Sequence, residues 1–142
     1  MFIILHSLNK TTAQWLIIKK DKILARGVFK LSPDHDKLLL TLDRLLKKYK
    51  ISLAKSKGLV LLVHEATLTQ IKLFTATINT LAWQYDLPVT ADWSYVGRVE
   101  DDFNKISVAF KKIKKFKPLV ITYQRPPEIT ISKKKSKFII KK

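Results

Sequence analysis

Gly58-Leu59-Val60-Leu61-Leu62-Val63 is an uninterrupted apolar run of six residues. Alternate side chains of a strand point to opposite faces, so a run without polar alternation predicts a central strand covered on both sides. Its surroundings agree. From Thr67 to Tyr85 the residues Ile71, Phe74, Ile78, Leu81 and Tyr85 recur at helical spacing, which predicts a helix directly after the strand. Leu87-Pro88-Val89 then starts a short fifth strand. A strand–helix–strand crossover of this kind is almost always right-handed and leaves its strands parallel.

Upstream, Phe2-Ile3-Ile4-Leu5, Trp15-Leu16-Ile17-Ile18 and Ile23 to Phe29 are three further β-branched or apolar runs. Asn9-Lys10 and the polar stretch Lys19–Lys22 separate them as short turns, so they read as an antiparallel meander. Residues 32–50 switch to helical period. Ser32 serves as N-cap, Pro33 fits the first helical position, and Asp34 and Asp36 lie at the positive end of the dipole. Leu38, Leu42, Leu45, Leu46 and Tyr49 form the apolar face. Downstream, Asp101-Asp102 open a third helix with Phe103, Ile106, Phe110 and Ile113 on one side and lysines on the other. Leu119-Val120-Ile121 is strand-like, and Arg125-Pro126-Pro127 breaks regular structure.

The order predicts an α/β fold of the ribonuclease-H-like and actin-like (ASKHA) kind: one lobe with a mixed five-stranded sheet, helices and a basic C-terminal tail. The lobe is expected over 1–123 and the tail over 124–142. The helix at 67–85 carries a second row, Leu73, Ala76, Thr80 and Trp83, nearly opposite the first. One stripe suffices for a core, so a second implies burial on both sides or a partner surface.

Composition narrows the chemistry. The 142 residues hold 28 Lys and Arg against 11 Asp and Glu, a formal net charge of +17. Residues 103–142 contribute 13 of those cations and a single acid, Glu128. Such an end favours phosphate-rich or acidic partners through long-range attraction. With no cysteine, disulfides, cysteine-based zinc sites and thiol nucleophiles are excluded. No apolar run is long enough to span a membrane, and the opening segment lacks the basic flank of a signal peptide, so the expected location is the cytoplasm.

Enzyme chemistry finds no residues. A two-metal nuclease needs carboxylates on the first and fourth strands, where this chain has His6-Ser7 and a lone Glu65. Only three glycines occur (Gly27, Gly58, Gly97), none placed for a phosphate loop after the first strand or at the start of the second helix. His6, His35 and His64 lie on separate elements. His6 and His64 end neighbouring parallel strands and read as hydrogen-bonded structural residues. No catalytic residue, metal or cofactor is expected. Lys111, Lys112, Lys114, Lys115, Arg125, Lys133, Lys134 and Lys135 form a basic series able to follow a phosphate backbone in a salt-dependent way. No aromatic alternates with them as a stacking platform requires.

Several segments carry a resemblance. LHSLNKTTAQWLIIKKDKILARGVF (5–29), SPDHDKLLLTLDRLL (32–46), HEATLTQIKLFTATINTLAWQYDLP (64–88) and KPLVITYQRPPEITISKKK (117–135) resemble the TsaB (YeaZ) proteins. The similarity covers residues 1–95 and, more weakly, 117–135. His6-Ser7-Leu8 stands where the family has Asp-Thr-Ser. His64, Glu65, Ala66 and Gln70 replace signature residues Gly, Pro, Gly and Gly, Lys72 replaces Arg, and Thr69 is retained. The second lobe is expected to be missing.

The resemblance implies a non-catalytic, actin-like subunit that binds a TsaD-type enzyme and supports threonylcarbamoylation of adenosine 37 in tRNA. It implies contacts through helices 32–50 and 67–85, with Leu40, Leu73, Ala76, Thr80 and Trp83 as partner-binding residues. The same helices would serve a homodimer, and the basic series would help hold tRNA. Two other readings stand beside it: a stand-alone basic RNA-binding module on a ribonuclease-H-like fold, and a degenerate self-associating homologue.

Overall fold

A computed structural model of the chain describes residues 1–31, 37–111, 113 and 115–121. Five strands form one sheet: β1 (Phe2–Ser7), β2 (Thr12–Lys19), β3 (Lys22–Lys30), β4 (Gly58–Val63) and β5 (Val89–Asp92). Their order across the sheet is β3-β2-β1-β4-β5. β1, β2 and β3 form the antiparallel meander, and β4 pairs parallel with both β1 and β5. Lys20 and Asp21, which join β2 to β3, both have positive φ (53° and 60°), the geometry a two-residue hairpin needs to match strand twist.

The helices are α1 (Lys37–Lys48), α2 (Leu68–Tyr85) and α3 (Phe103–Lys111). Every residue of β4 is buried, and the two parities of the strand serve two different cores. Leu59, Leu61 and Val63 join Ile3, Leu5, Trp15 and Ile17 beneath α1 and α2, where Leu38, Leu42, Leu45, Phe74, Ile78 and Ala82 close the layer. Val60 and Leu62 join Ile4, Leu16 and Ile18 on the reverse face, under Tyr95, Val99 and Ile106. The sheet is thus sandwiched, with α1 and α2 on one side and α3 on the other. Trp15, fully buried, donates its indole N–H to the Leu38 carbonyl of α1 at 2.7 Å, so its one polar atom is satisfied. No helix among the described residues is long and apolar enough to cross a membrane.

Several boundaries differ from the sequence expectation for local reasons. The N-cap series Ser32, Pro33, Asp34 and Asp36 lies outside the described residues, as do 122–142. α1 stops at Lys48 because Lys50 adopts φ 54°, with Ile51 N–H reaching back to Leu46 O at 2.9 Å. This left-handed termination leaves Tyr49 exposed instead of on the apolar face, with Lys48 Nζ 5.6 Å from its ring centroid. α3 begins at Phe103, two residues after Asp101, which sits in a single 3-10 turn (Val99–Asp101), and it ends before Ile113. Leu119-Val120-Ile121 is not a strand. The Asn79 side chain takes the place of a strand partner: it donates to Leu119 O at 3.1 Å and accepts from Leu119 N–H at 2.8 Å. Phe116 and Leu119 pack onto the α1/α2 core beside this clamp.

Gly58 is required where β4 begins. A Cβ there would meet the Phe110 ring and lie 2.9 Å from the Pro88 carbonyl oxygen, which already accepts from Leu59 N–H. The ring can shift but the paired backbone cannot. Gly58→Ala is expected to cost about 1–3 kcal/mol, the usual range for overpacking. Urea unfolding should show a lower midpoint with an unchanged m-value.

Candidate functional site

α2 is fixed at both ends by its own sequence. Thr67 is the N-cap and Gln70 completes a capping box: Gln70 N–H donates to Thr67 Oγ1, and Thr67 N–H donates to Gln70 Oε1 at 2.9 Å. The Gln70 amide nitrogen also donates to Lys10 O at 2.7 Å, tying the β1–β2 turn to the helix. At the far end Asp86 is left-handed (φ 52°), and Leu87 N–H returns to Ala82 O. A helix held this way presents fixed faces.

Phe74, Ile78 and Ala82 are fully buried against the sheet. On the opposite side Ala76 and Thr80 are exposed and Trp83 is 70% exposed. Of the row expected from sequence, Leu73 departs: it is half-buried and packs on the core, at the margin of the open face. Tyr85, expected in the core stripe, is exposed at the helix end. On α1, Leu40 is exposed as expected, and so is Leu39, which periodicity alone did not single out. A groove of about 500 Å³ runs between α1 and α2, with Leu39, Leu46, Ile51, Leu81 and Tyr85 in its lining and the Asp43–Lys47 ion pair (3.0 Å) beside it. Trp83 is two residues from both Leu81 and Tyr85, about 200° round the helix, so the groove and the Trp83 row lie on different sides of α2. Leu40 does not line the groove.

The basic series is less visible. Lys111 ends α3 and Lys115 is exposed. Lys112, Lys114, Arg125, Lys133, Lys134 and Lys135 lie outside the described residues.

Polar side chains collect where β1 and β4 end. Ser7 Oγ donates to Glu65 O at 2.6 Å, and His64 Nδ1–H donates to Tyr95 O at 3.0 Å. His6 is buried beneath Tyr95, edge-on with ring centroids 5.4 Å apart, and its Nδ1 accepts from the Gln14 amide at 3.1 Å. The two histidines therefore have separate partners. Burial first, and then the nearby His64 and Arg26, lower the His6 pKa to about 4, with Glu100 opposing. Burial also raises the Tyr95 phenol, reinforced by its hydrogen bond to Asp102 (2.6 Å). Both groups thus stay neutral near pH 7 and hold the 93–102 segment to the sheet. Among the described residues no three His, Asp or Glu gather as a metal site. Glu65 is exposed, and its main chain is what Ser7 uses.

No family model matches the chain, and no curated protein matches it in sequence. Solved structures do match. YeaZ from Pseudomonas aeruginosa aligns with a TM-score of 0.56 at 14% identity, over 64% of this chain and 43% of that one. A second structure, described as an uncharacterized protein with similarity to peptidase YeaZ from the same organism, aligns with a TM-score of 0.56 at 15% identity, over 64% and 42%. The chain therefore spans less than half the length of either structure. At these identities the likeness establishes the fold alone, an α/β arrangement with a mixed five-stranded sheet shared with the aligned part of YeaZ.

The buried neutral His6 gives a signed pH dependence. Its folded pKa (about 4) lies below its ordinary value of 6.5, so between these values the unfolded chain binds the extra proton. Stability should fall as pH drops through that window, by up to about 1.4 kcal/mol per pH unit from this one group. His6→Gln should flatten the upper part of the slope, above the carboxylate range, in urea titrations repeated across pH. An unchanged slope there would show that His6 is not buried in its neutral form.

Proposed function

We propose that the chain is a non-catalytic, TsaB-like scaffold subunit that docks a TsaD-type partner through α1 and α2 and supports threonylcarbamoylation of adenosine 37 in tRNA. The observation that carries this reading is Trp83. It lies 70% exposed on a helix whose opposite side buries Phe74, Ile78 and Ala82 completely, in a row with Ala76 and Thr80. Exposed tryptophan is costly to leave in water, and tryptophan is among the side chains most enriched at the energetic centres of interfaces. The groove beside α1 adds an apolar cleft to the same layer, with Leu39 and Tyr85 as further contacts. Likeness of fold to YeaZ supports the choice of partner class, as does the resemblance of segments 5–29 and 64–88 to that family.

The test is to mix the full chain with the TsaD-type subunit of its organism and weigh the products by size exclusion with light scattering. A stable complex is expected. Ala76→Glu, Thr80→Glu and Trp83→Ala touch only exposed positions, so each should leave the fold intact, which Leu73→Glu would not. Trp83→Ala should weaken the complex about tenfold or more, since burying such a side chain contributes roughly 1.5–3 kcal/mol from area. A wild-type chain that is itself dimeric, turns monomeric on Trp83→Ala and ignores the TsaD-type subunit would assign the row to self-association instead.

A further inference from the structure

We propose that the chain carries a ribonucleotide-binding pocket on the face of the sheet opposite α1 and α2, between the β2–β3 turn and α3. A cavity of about 310 Å³ opens there, and Phe2, Phe103 and Ile106 give it an apolar, partly aromatic floor. Three lysines stand in its lining: Lys19 at the end of β2, Lys20 from the β2–β3 turn, and Lys57 from the residue before β4. These side chains are exposed, and none of them belongs to an ion pair among the described residues. Lys19 and Lys20, Lys57, and Phe103 come from three segments far apart in sequence. Folding assembles this combination of aromatic surface and cations from residues far apart in sequence.

The chemistry selects the ligand class. An apolar floor alone would suit an acyl chain, and lysines alone would suit any anion. A splayed nucleotide uses both, placing its base against an aromatic or apolar surface and its phosphate among lysines. The lining also includes Asp21, an acceptor for ribose hydroxyls, and Ser107, a hydroxyl able to donate to phosphate or to a base edge. A single nucleotide is about the size that the cavity admits, and longer RNA would continue past the mouth. Because the pocket lies across the sheet from Trp83, it is independent of the partner-docking reading and can be filled while α1 and α2 are engaged.

Calorimetric titration of the full chain with adenosine 5′-monophosphate, alongside anisotropy with a labelled single-stranded RNA oligomer, tests the assignment. Saturable binding of the mononucleotide at a single site is expected. Lys19→Glu with Lys57→Glu should weaken it about tenfold or more, whereas Arg44→Glu with Lys48→Glu, the same charge change on α1, should leave it nearly unaltered. Phe103→Leu retains apolar volume and removes the aromatic face; it should weaken the mononucleotide several-fold, with thermal melts confirming that the fold persists. If RNA shows the same Phe103→Leu loss and competes with the mononucleotide, the bound unit is a nucleotide of single-stranded RNA. If RNA is indifferent and the mononucleotide is not, the ligand is the free nucleotide. Absence of saturable binding, equal weakening by the α1 charge reversal, or decanoate bound in preference to the mononucleotide would overturn the proposal.

Discussion

β4 has no polar side to offer to water. Leu59, Leu61 and Val63 point one way and Val60 and Leu62 the other, and its neighbour β1 repeats the arrangement with Ile3 and Leu5 against Ile4. A sheet whose middle strands are apolar on both faces must be roofed twice, and the topology follows from that requirement. The crossover through α2 lays one roof together with α1. The chain beyond β5 then has to turn under the sheet to lay the other, which is the work of Tyr95, Val99 and α3. Gly58 is a close point of this arrangement, with the Phe110 ring of α3 against the start of the strand.

This constraint was legible in sequence because burial on both faces leaves a continuous apolar run, and because Ile71, Phe74 and Ile78 give α2 its helical period. The meander was legible for a similar reason, through short apolar runs between polar turns. Other features were not, and each failure has a physical cause. Tyr49 matches the period of α1 but falls beyond a left-handed termination at Lys50, a conformation for which lysine gives no signal. Leu119-Val120-Ile121 has strand composition, yet a side-chain amide on α2 satisfies its backbone before any strand does. Period alone also misplaced Leu73 and Tyr85, because it reports the direction of a side chain and not how far the neighbouring layer extends.

The candidate surfaces divide in the same manner. The Trp83 row was readable as a surplus stripe, since a helix needs only one apolar face to join a core. The cavity beneath α3 was unreadable, because its lysines and its aromatic residues meet only through the long-range pairing of β1 with β2 and β4 and the packing of α3 across that face. The histidines illustrate a third case. Their separation in sequence argued against a metal site, but the lowered pKa of His6 depends on being sealed beneath Tyr95, a residue contributed from beyond β5.

The amide clamp at Asn79 has a consequence for how this protein can change. It recognises the peptide group of Leu119 and not its side chain, so the positions around it are released from any demand for strand-forming residues. Val120, 80% exposed, is free to drift toward polar or charged identities without loosening the attachment. Position 119 is held twice over: Leu119 packs on the core, and proline there would remove the donor that Asn79 requires. Variation is thereby tolerated at Val120, while Phe116 and Leu119 stay constrained by their packing on the α1/α2 core.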